Sequence, residues 1–450
     1  MKSLNAPLKM NPSLDTQMYS LVAEMFPICR SITGNGVRET LDIIKRKIPL
    51  TIHEVPTGTT VFDWQVPKEW NIKDAYIKNA KGEKIIDFKN SNLHVLNYSI
   101  PVNKTVSLEE LKKHVFYLKD HPDWIPYRTS YYKEEWGFCM SYNQFQTLND
   151  ETYEVCIDSS LEPGHLTYGE FYIPGDLTEE VLISAHICHP SLANDNLSGI
   201  SVATFLAHHL RQHKPRYSYR FLFIPGTIGA ITWLSINETN AYKIKHGLVA
   251  SLLGDSGSFT YKKSRRGDTE IDKVVEYVLK SKNANNNVID FIPYGYDERQ
   301  YCSPGFNLAV GCLSRTTYGQ YPEYHTSADN LQFITAAALA DSLKTYLEIV
   351  NVLETNQKFI NVNPKCEVQL GKRGLYGLQG GENEDKDIQI ALLWVLNLSD
   401  GNHSLLDICG RSKMKYETIR YAASKLIECE LLREDGRGDS FLSPLYSVAI

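Results

Sequence analysis

The residues best suited to metal chemistry lie in one short stretch near the middle of the 450-residue chain. His186 and Asp195 stand close together in sequence, with His189 between them. Imidazole and carboxylate groups are typical ligands of a hydrolytic zinc ion, which also needs an open coordination position for water. The structural alternative is that His186 is a core histidine and Asp195 caps the following helix.

The elements around this stretch predict how its polar residues are positioned. An apolar run at 181–183 precedes His186 and is typical of a strand buried in a sheet. A helical pattern at 197–212 follows Asp195. Because ligands of open α/β sheets bind at the carboxyl ends of the strands, we expect His186 and Asp195 to meet at such an edge.

The chain is predicted to be an α/β protein with a mostly parallel sheet and helices on both faces. Strand patterns alternate with helical patterns in its middle part, which favours this architecture. The predicted strands lie at 171–175, 181–184, 220–224 and 249–253, and the predicted helices at 197–212, 229–238, 269–281 and 334–355.

Changes of pattern along the chain predict three domains. Residues 1–55 and 150–356 would form a catalytic domain. Residues 56–149 contain short alternating runs and many Tyr and Trp residues, which indicates a β-rich insertion. Residues 357–450 would form a connector and a winged helix, whose helices are predicted at 387–398, 404–408 and 416–432, with a hairpin wing after them.

Charge and composition exclude several functions. A net charge of −6 argues against a general nucleic-acid binder, and charges in the tail nearly cancel. We therefore expect the winged helix to bind a protein partner or to self-associate. The chain has no apolar run long enough for a membrane span and no signal-peptide pattern at its start. Its nine cysteines form no CxxC pair, which predicts reduced thiols in the cytoplasm.

Three later stretches carry further ligand-type residues. Asp255 follows a predicted strand, although it could instead cap a turn. The acidic segment 296–300 contains Glu298, and the segment 321–330 contains Glu323, Tyr324, His325 and Asp329.

Taken in order, these pieces resemble the co-catalytic zinc aminopeptidases, a group that also contains glutaminyl cyclases. Residues 186–199 are similar to the H-x-D … D-N-x-S-G region of that family, and 297–305 to its S-D-H-x-x-F-x-x-x-G loop. Residues 324–329 resemble its Y-H-T-x-x-D motif. With the insertion and the tail, the chain looks like a bacterial aminopeptidase-like family that carries a C-terminal winged helix.

The resemblance implies one or two zinc ions bound by His186, Asp195, Asp255 and His325. The family normally has Gly-Glu-Glu-x-Gly after its next strand, where one Glu is the general base and the other a ligand. Thr227 and Ile228 stand there in this chain, and neither can replace a carboxylate. Cys188 likewise replaces an expected Asp. A single ion on His186 and Asp195, with either Asp255 or His325, is therefore an open alternative.

A replacement general base must come from elsewhere. Glu298 is the first candidate, because its loop lies at the active-site rim in the similar family; Glu323 is the second and His189 the third. Glu298 could instead be an ion-pair partner of Arg299 or of another surface group.

Three residues are candidates for substrate binding: Arg315, Arg299 and Tyr324. Arg315 could bind a carboxylate or phosphate through two hydrogen bonds, although it could also be an ordinary surface arginine. Tyr324 belongs to a tyrosine cluster that would suit the wall of a cleft; its members are Tyr294, Tyr296, Tyr318, Tyr321 and Tyr324.

The resemblance implies a zinc-dependent amide hydrolase, an aminopeptidase-like metallopeptidase acting on a small molecule or short peptide. Three alternatives stay open. The chain could be a deacylase or amidohydrolase on a sugar or amino-sugar derivative. It could be a metal-binding protein that lost catalysis with the Glu-Glu pair, or a regulator acting through the winged helix.

Overall fold

A computed structural model describes residues 12–375 and 383–434 of the chain. These residues form two compact units, with the boundary after Glu348. Within the described ranges, none of the helices combines the length and the apolar character that a membrane span requires.

Among the described residues, the first unit contains sixteen strands and ten α-helices, of which the last continues into the second unit. Its strands are β1 (Thr51–Pro56), β2 (Thr60–Val61), β3 (Trp64–Gln65), β4 (Glu69–Lys78), β5 (Lys84–Asp87), β6 (Val102–Ser107), β7 (Val115–Phe116), β8 (Phe138–Cys139), β9 (Thr152–Glu162), β10 (His165–Ile173), β11 (Glu180–His186), β12 (Ser218–Ile224), β13 (Ile244–Ala250), β14 (Thr260–Lys262), β15 (Asn287–Ile289) and β16 (Val310–Ser314). Its helices are α1 (Pro12–Met25), α2 (Asn35–Lys45), α3 (Leu108–Lys113), α4 (Tyr142–Gln146), α5 (Gly199–Leu210), α6 (Ile228–Ile236), α7 (Glu238–Ala241), α8 (Glu270–Lys282), α9 (Glu298–Tyr301) and α10 (Ala336–Thr355).

The core of this unit is an eight-stranded sheet in the order β1-β10-β12-β11-β13-β16-β14-β15. Its central strands β12, β11, β13 and β16 run parallel, while β10 and β14 join them antiparallel. Every residue of β11 is buried, as its apolar run predicts. The predicted α/β class with a mostly parallel sheet is confirmed.

A second sheet, in the order β5-β4-β9-β6, lies mostly in the predicted insertion. Its strand β9 begins at Thr152, so the sheet uses chain on both sides of residue 149. Its buried residues Trp70 and Ile77 belong to the same apolar cluster as Leu222 of the central sheet. The domain boundaries at 55, 149 and 356 therefore stay a prediction.

One strand end differs from the prediction in a way that affects the site. The strand expected at 249–253 is β13, which ends at Ala250. Leu252 has a φ angle of 56°, in the left-handed region, and the chain turns there. Asp255 therefore lies in a turn rather than at the end of a strand.

The second unit has the secondary-structure elements of a winged helix. Its helices are α11 (Asn383–Leu398), α12 (Leu405–Ser412) and α13 (Tyr416–Glu428), and its strands β17 (Lys358–Asn361), β18 (Asp400–Ser404) and β19 (Leu432–Glu434). The strands form one sheet in the order β18-β17-β19. The helix predicted at 416–432 ends earlier, because β19 begins at Leu432. The residues predicted to form the wing lie mainly in 435–450, outside the described residues.

Candidate metal centre

Three chain segments bring the predicted ligands together at one edge of the central sheet. His186 is the last residue of β11, and Asp195 lies in the irregular helical turn Ala193–Ser198 that leads into α5. His325 lies in the long loop between β16 and α10. This is the strand-end position that the sequence predicts.

Asp195 is the centre of the group. His186 Nε2 lies 2.9 Å from Asp195 Oδ1, and His325 Nε2 lies 2.9 Å from Asp195 Oδ2. The Asp195 side chain is completely buried. One buried carboxylate thus has an imidazole on each oxygen, an arrangement that could gather around a cation.

His189 is the third imidazole of the group. Its ligand atom lies within 4.8 Å of those of His186 and Asp195. Its ring centroid is 4.9 Å from that of His186 and 5.1 Å from that of His325. Burial lowers the pKa of His189 to about 3, so the ring is neutral at physiological pH. A neutral imidazole is the form that binds metal ions.

The electrostatics keep Asp195 ionised. Burial would raise its pKa, but the hydrogen bonds from His186 and His325 to its two oxygens outweigh burial. The pKa of Asp195 therefore lies well below its ordinary value. A permanently charged carboxylate among imidazoles is a suitable anchor for a divalent ion.

Two buried atoms beside the group suggest how the ligands would be held. Among the described residues, His186 Nδ1 and Asp297 Oδ2 have no hydrogen-bond partner. Burial raises the pKa of Asp297 to about 6, while nearby His186 lowers it. Metal-binding histidines commonly donate their second nitrogen to a carboxylate. The donor set of His186, His189 and Asp195, two imidazoles and one carboxylate, fits a zinc ion with a coordination position left open.

Asp329 fixes the backbone of the Asp195 turn. Its carboxylate accepts hydrogen bonds from Asn194 N at 2.6 Å and from Asp195 N at 3.0 Å. Burial raises the pKa of Asp329 to about 8. The Y-H-T-x-x-D segment thus supplies both an imidazole, His325, and the support of the central carboxylate.

The structure does not bring Asp255 into this group. Asp255 Oδ1 accepts from Thr316 Oγ1 at 2.6 Å and from Gly257 N at 2.7 Å. Asp255 Oδ2 accepts from Asn194 Nδ2 at 3.1 Å. Both oxygens are engaged in the turn after β13, so a ligand role for Asp255 stays a prediction without a supporting contact.

Glu298 is engaged in a buried ion pair. Its carboxylate contacts Lys262 Nζ, and the two side chains are 0% and 8% exposed. It also accepts from Tyr296 N at 3.2 Å. The ion-pair alternative thus has support, with Lys262 rather than Arg299 as the partner. A general-base role for Glu298 stays a prediction.

Asp297 and Arg299 contact the position where the similar family has its glutamates. Thr227 N donates to Asp297 Oδ1 at 2.6 Å, and Arg299 Nη2 donates to Thr227 Oγ1 at 3.1 Å. Ile228 is fully buried. Asp297 and Arg299 therefore stabilise the start of α6, where the similar family has its two glutamates.

The remaining candidate residues divide into two groups. Arg315 is buried, donates to Asp341 Oδ2 at 2.9 Å and lies 4.4 Å above the Phe259 ring, so its contacts are internal. Tyr324 stacks on His325 with ring centroids 4.0 Å apart, and Glu323 is half-buried in the same loop. Their substrate and base roles stay predictions.

The tyrosine cluster forms a wall beside the group. The Tyr296 ring stacks on His186 at 5.0 Å, and Tyr318 lies 5.8 Å from Tyr296 and 6.2 Å from Tyr324. The rings therefore connect His186 to His325. Such a wall suits the flat face of a bound substrate.

From the sequence, His189 is only the third candidate for the general base, and Tyr127 is not a candidate for any role. The spacing of His186 and His189 directly after a strand was a usable signal for a pair of ligands. Tyr127 lies in the predicted insertion, and its ring centroid is 5.1 Å from that of His325. Nothing in the local sequence indicates this contact, because it joins segments about two hundred residues apart.

Two family models match the chain. Residues 19–356 match a family described as a domain of unknown function, DUF4910. The chain belongs to this family. Residues 357–434 match a winged helix-turn-helix family. Residues 186–199 and the later motifs predict an aminopeptidase-like domain followed by a C-terminal winged helix. These matches, together with the relatives described next, confirm that prediction.

A protein of Clostridium acetobutylicum is 55% identical over 433 residues, covering 96% of this chain and 100% of the relative. Its provisional name is polysaccharide biosynthesis protein with aminopeptidase-like domain. A crystal structure from the same organism, provisionally described as a peptidase, has a TM-score of 0.88 and 56% identity and covers 93% of this chain and 96% of that one.

A more distant structure shows the fold. BSAP, a zinc aminopeptidase from Bacillus subtilis, has a TM-score of 0.55 and 12% identity, covering 75% of this chain and 94% of that one. The first unit therefore has the zinc-aminopeptidase fold.

Proposed function

We propose that this protein is a zinc-dependent amide hydrolase, most like an aminopeptidase-type metallopeptidase. The observation that supports it best is the buried group of His186, His189 and Asp195, whose ligand atoms lie within 4.8 Å of one another. These three ligands suit a catalytic zinc ion, and His325 contacts the other oxygen of Asp195.

The protein's own residues would hold and orient the reactants. His186, His189 and Asp195 would hold a single ion and leave a coordination position for water. His325 would orient Asp195 through its other oxygen, and Asp329 would keep the Asp195 turn in place. The ion would supply a Lewis acid for the amide carbonyl and would lower the pKa of a water molecule.

We propose Glu323 as the group that accepts the proton from water. Glu298 is held by Lys262 in a buried ion pair, and giving up that pair would leave a buried charge without a partner. Glu323 is half-buried and stands two residues before His325 in the same loop.

A second candidate function is deacylation of an amino-sugar derivative. The tyrosine wall favours a substrate with a flat face, which a sugar ring offers as well as a peptide side chain. The name of the Clostridium acetobutylicum relative, which refers to polysaccharide biosynthesis, supports this candidate.

Two further features belong to the proposal. All nine cysteines are free thiols, which supports a reducing compartment such as the cytoplasm. The exposed residues Glu417, Tyr421 and Glu428 of α13 support a protein partner or self-association through the winged helix.

The test is zinc analysis of the purified protein together with an activity panel of aminoacyl amides and N-acyl amino sugars. We expect zinc near one ion per chain and hydrolysis of one substrate class, with both lost in Asp195→Asn. Glu323→Gln should keep the zinc and lose most of the hydrolysis. Activity that persists without metal would refute the proposal.

A further inference from the structure

We infer that the inserted region is part of the metal centre, with Tyr127 as the positioning residue that holds His189 and His325 in place for the ion. This inference rests on the proposed metal site and deepens it. It assigns a role to residues 125–127, which lie far from the ligands in sequence.

The backbone of residues 125–127 pairs with the loop that carries His325. Tyr127 N donates to His325 O at 2.7 Å, and Ser327 N donates to Ile125 O at 2.8 Å. Ile125 N in turn donates to Ser327 Oγ at 2.9 Å. The two segments thus form a short antiparallel bridge centred on Pro126 and Thr326.

This bridge matters because His325 has an unusual backbone conformation. Its φ angle is 57°, in the left-handed region that residues other than glycine rarely adopt. Such a conformation persists only where surrounding structure enforces it. The hydrogen bond from Tyr127 N to His325 O comes from outside the loop and is therefore suited to hold it.

The Tyr127 ring contacts two imidazoles at once. It lies edge-on to His325, with centroids 5.1 Å apart and an interplanar angle of 84°. It is also edge-on to His189, at 5.2 Å and 70°. Its hydroxyl is 2.7 Å from that of Tyr131, which fixes the ring at its far end.

A second path ties His189 to the same region. Arg30, completely buried, donates from Nε to His189 O at 2.9 Å. Asn97 Nδ2 donates to Arg30 O at 2.8 Å, and Ser130 N donates to Asn97 O at 3.0 Å. The backbone and the ring of His189 are therefore both held by contacts that lead to residues 127–131.

Tyr127 contributes little to the main apolar core. It is 3% exposed, but its buried apolar neighbours form a separate small cluster with Leu93 and Leu192. The large cluster of the central sheet does not include it. Loss of its ring should consequently disturb the imidazoles more than the fold.

The test compares zinc affinity, measured by chelator competition, among full-length variants. Tyr127→Leu removes the ring edge and should weaken zinc binding roughly 10- to 100-fold, the range known for residues that orient metal ligands. Tyr127→Phe keeps the ring and should stay within about 3-fold of wild type, because it loses only the bond to Tyr131. Tyr117→Leu is the matched control, since that ring stacks on Phe145 elsewhere in the insertion and its loss should leave zinc affinity unchanged.

Thermal unfolding of the metal-free variants separates positioning from folding. We expect Tyr127→Leu and Tyr117→Leu to lower the melting temperature similarly, with weaker zinc binding in Tyr127→Leu alone. If Tyr127→Leu does not fold, Ser327→Ala removes one hydrogen bond of the bridge and should weaken zinc binding roughly 3- to 10-fold. Wild-type affinity in the folded Tyr127→Leu, or in Ser327→Ala where the former does not fold, would overturn the inference. Absence of zinc binding in wild type would instead refute the metal centre itself.

Discussion

Asp195 is the buried charged residue around which the site is arranged. Its two oxygens receive His186 and His325, and the imidazole of His189 lies close enough to join them. A buried charge is tolerated only with partners, and here the partners are ligand-type groups. At the scale of single residues, the arrangement is therefore easier to explain as a cation site than as packing.

Replacing His189 with alanine tests its role as a ligand. Because it would remove a donor atom, we expect zinc affinity to fall by more than the roughly 10- to 100-fold typical of an outer partner. Isothermal titration with zinc measures the change. Asp255→Asn is the matched comparison: its oxygens are held by Thr316 and Gly257, so affinity should stay near wild type. A large loss in Asp255→Asn with little change in His189→Ala would reverse the assignment.

Breaking the Lys262–Glu298 pair tests whether Glu298 is structural. Lys262→Met leaves a buried carboxylate unpaired, and such changes cost about 3–5 kcal/mol of unfolding free energy. The double variant Lys262→Met/Glu298→Leu removes both charges and should recover much of that loss. Urea unfolding measures both. A Lys262→Met variant as stable as wild type would contradict the structural role of the pair.

At the scale of elements, the site depends on where strands end and which loops meet there. The apolar run of β11 and the helical pattern of α5 are visible in the sequence, so the positions of His186 and Asp195 could be predicted. The end of β13 could not, because Leu252 and Leu253 are apolar and look like more strand. The roles of His189 and Tyr127 depend on contacts between distant segments, which no local pattern encodes.

The ion pair between Arg38 of α2 and Glu69 of β4 allows a prediction about the stability of the protein at acid pH. Arg38 donates to both oxygens of Glu69, at 2.7 and 2.8 Å. This interaction lowers the pKa of Glu69 to about 2, against roughly 4.3 in the unfolded chain. A lowered folded-state pKa gives stability that is present above pH ~4.3 and lost as the pH falls towards 2.

Glu69→Gln should therefore lower the unfolding free energy at neutral pH by about 1 kcal/mol, after allowance for solvent screening of a partly exposed pair. Its stability should also fall less steeply than that of wild type below pH ~4.3. Urea unfolding across this pH range measures both effects. The control is Glu134→Gln, which removes an exposed pair with Lys68 and should change little. If the unfolding free energies of wild type and Glu69→Gln fell equally below pH ~4.3, the stabilising role of ionised Glu69 would be contradicted.

At the scale of the whole molecule, an aminopeptidase-like unit is joined to a winged helix in one chain. The first unit has the zinc-aminopeptidase fold but lacks the family's Glu-Glu pair at Thr227 and Ile228. The second has the helices and sheet of a DNA-binding module without the charge that phosphate binding requires. The first unit thus differs from the zinc aminopeptidases in the residues of its site, and the second differs from DNA-binding modules in its charge.

Full-length protein should bind duplex DNA only weakly. The exposed face of α13 presents Glu417 and Tyr421, and Lys425 is paired with Glu428 at 2.7 Å, so this face has no excess of basic side chains for phosphate. Fluorescence anisotropy with a random duplex at low and physiological salt measures binding. We expect dissociation constants no tighter than the roughly 10⁻⁴–10⁻⁶ M of non-specific binding at physiological salt. Nanomolar binding that survives Asp195→Asn would favour a DNA-binding regulator instead.

The most direct test of the metal centre is anomalous X-ray diffraction at the zinc edge from crystals grown with zinc. The arrangement around Asp195 predicts a strong peak about 2 Å from the ligand atoms of His186, His189 and Asp195, as zinc–ligand bonds require. Absence of a peak there, or a peak held by Asp255 without His189, would contradict it.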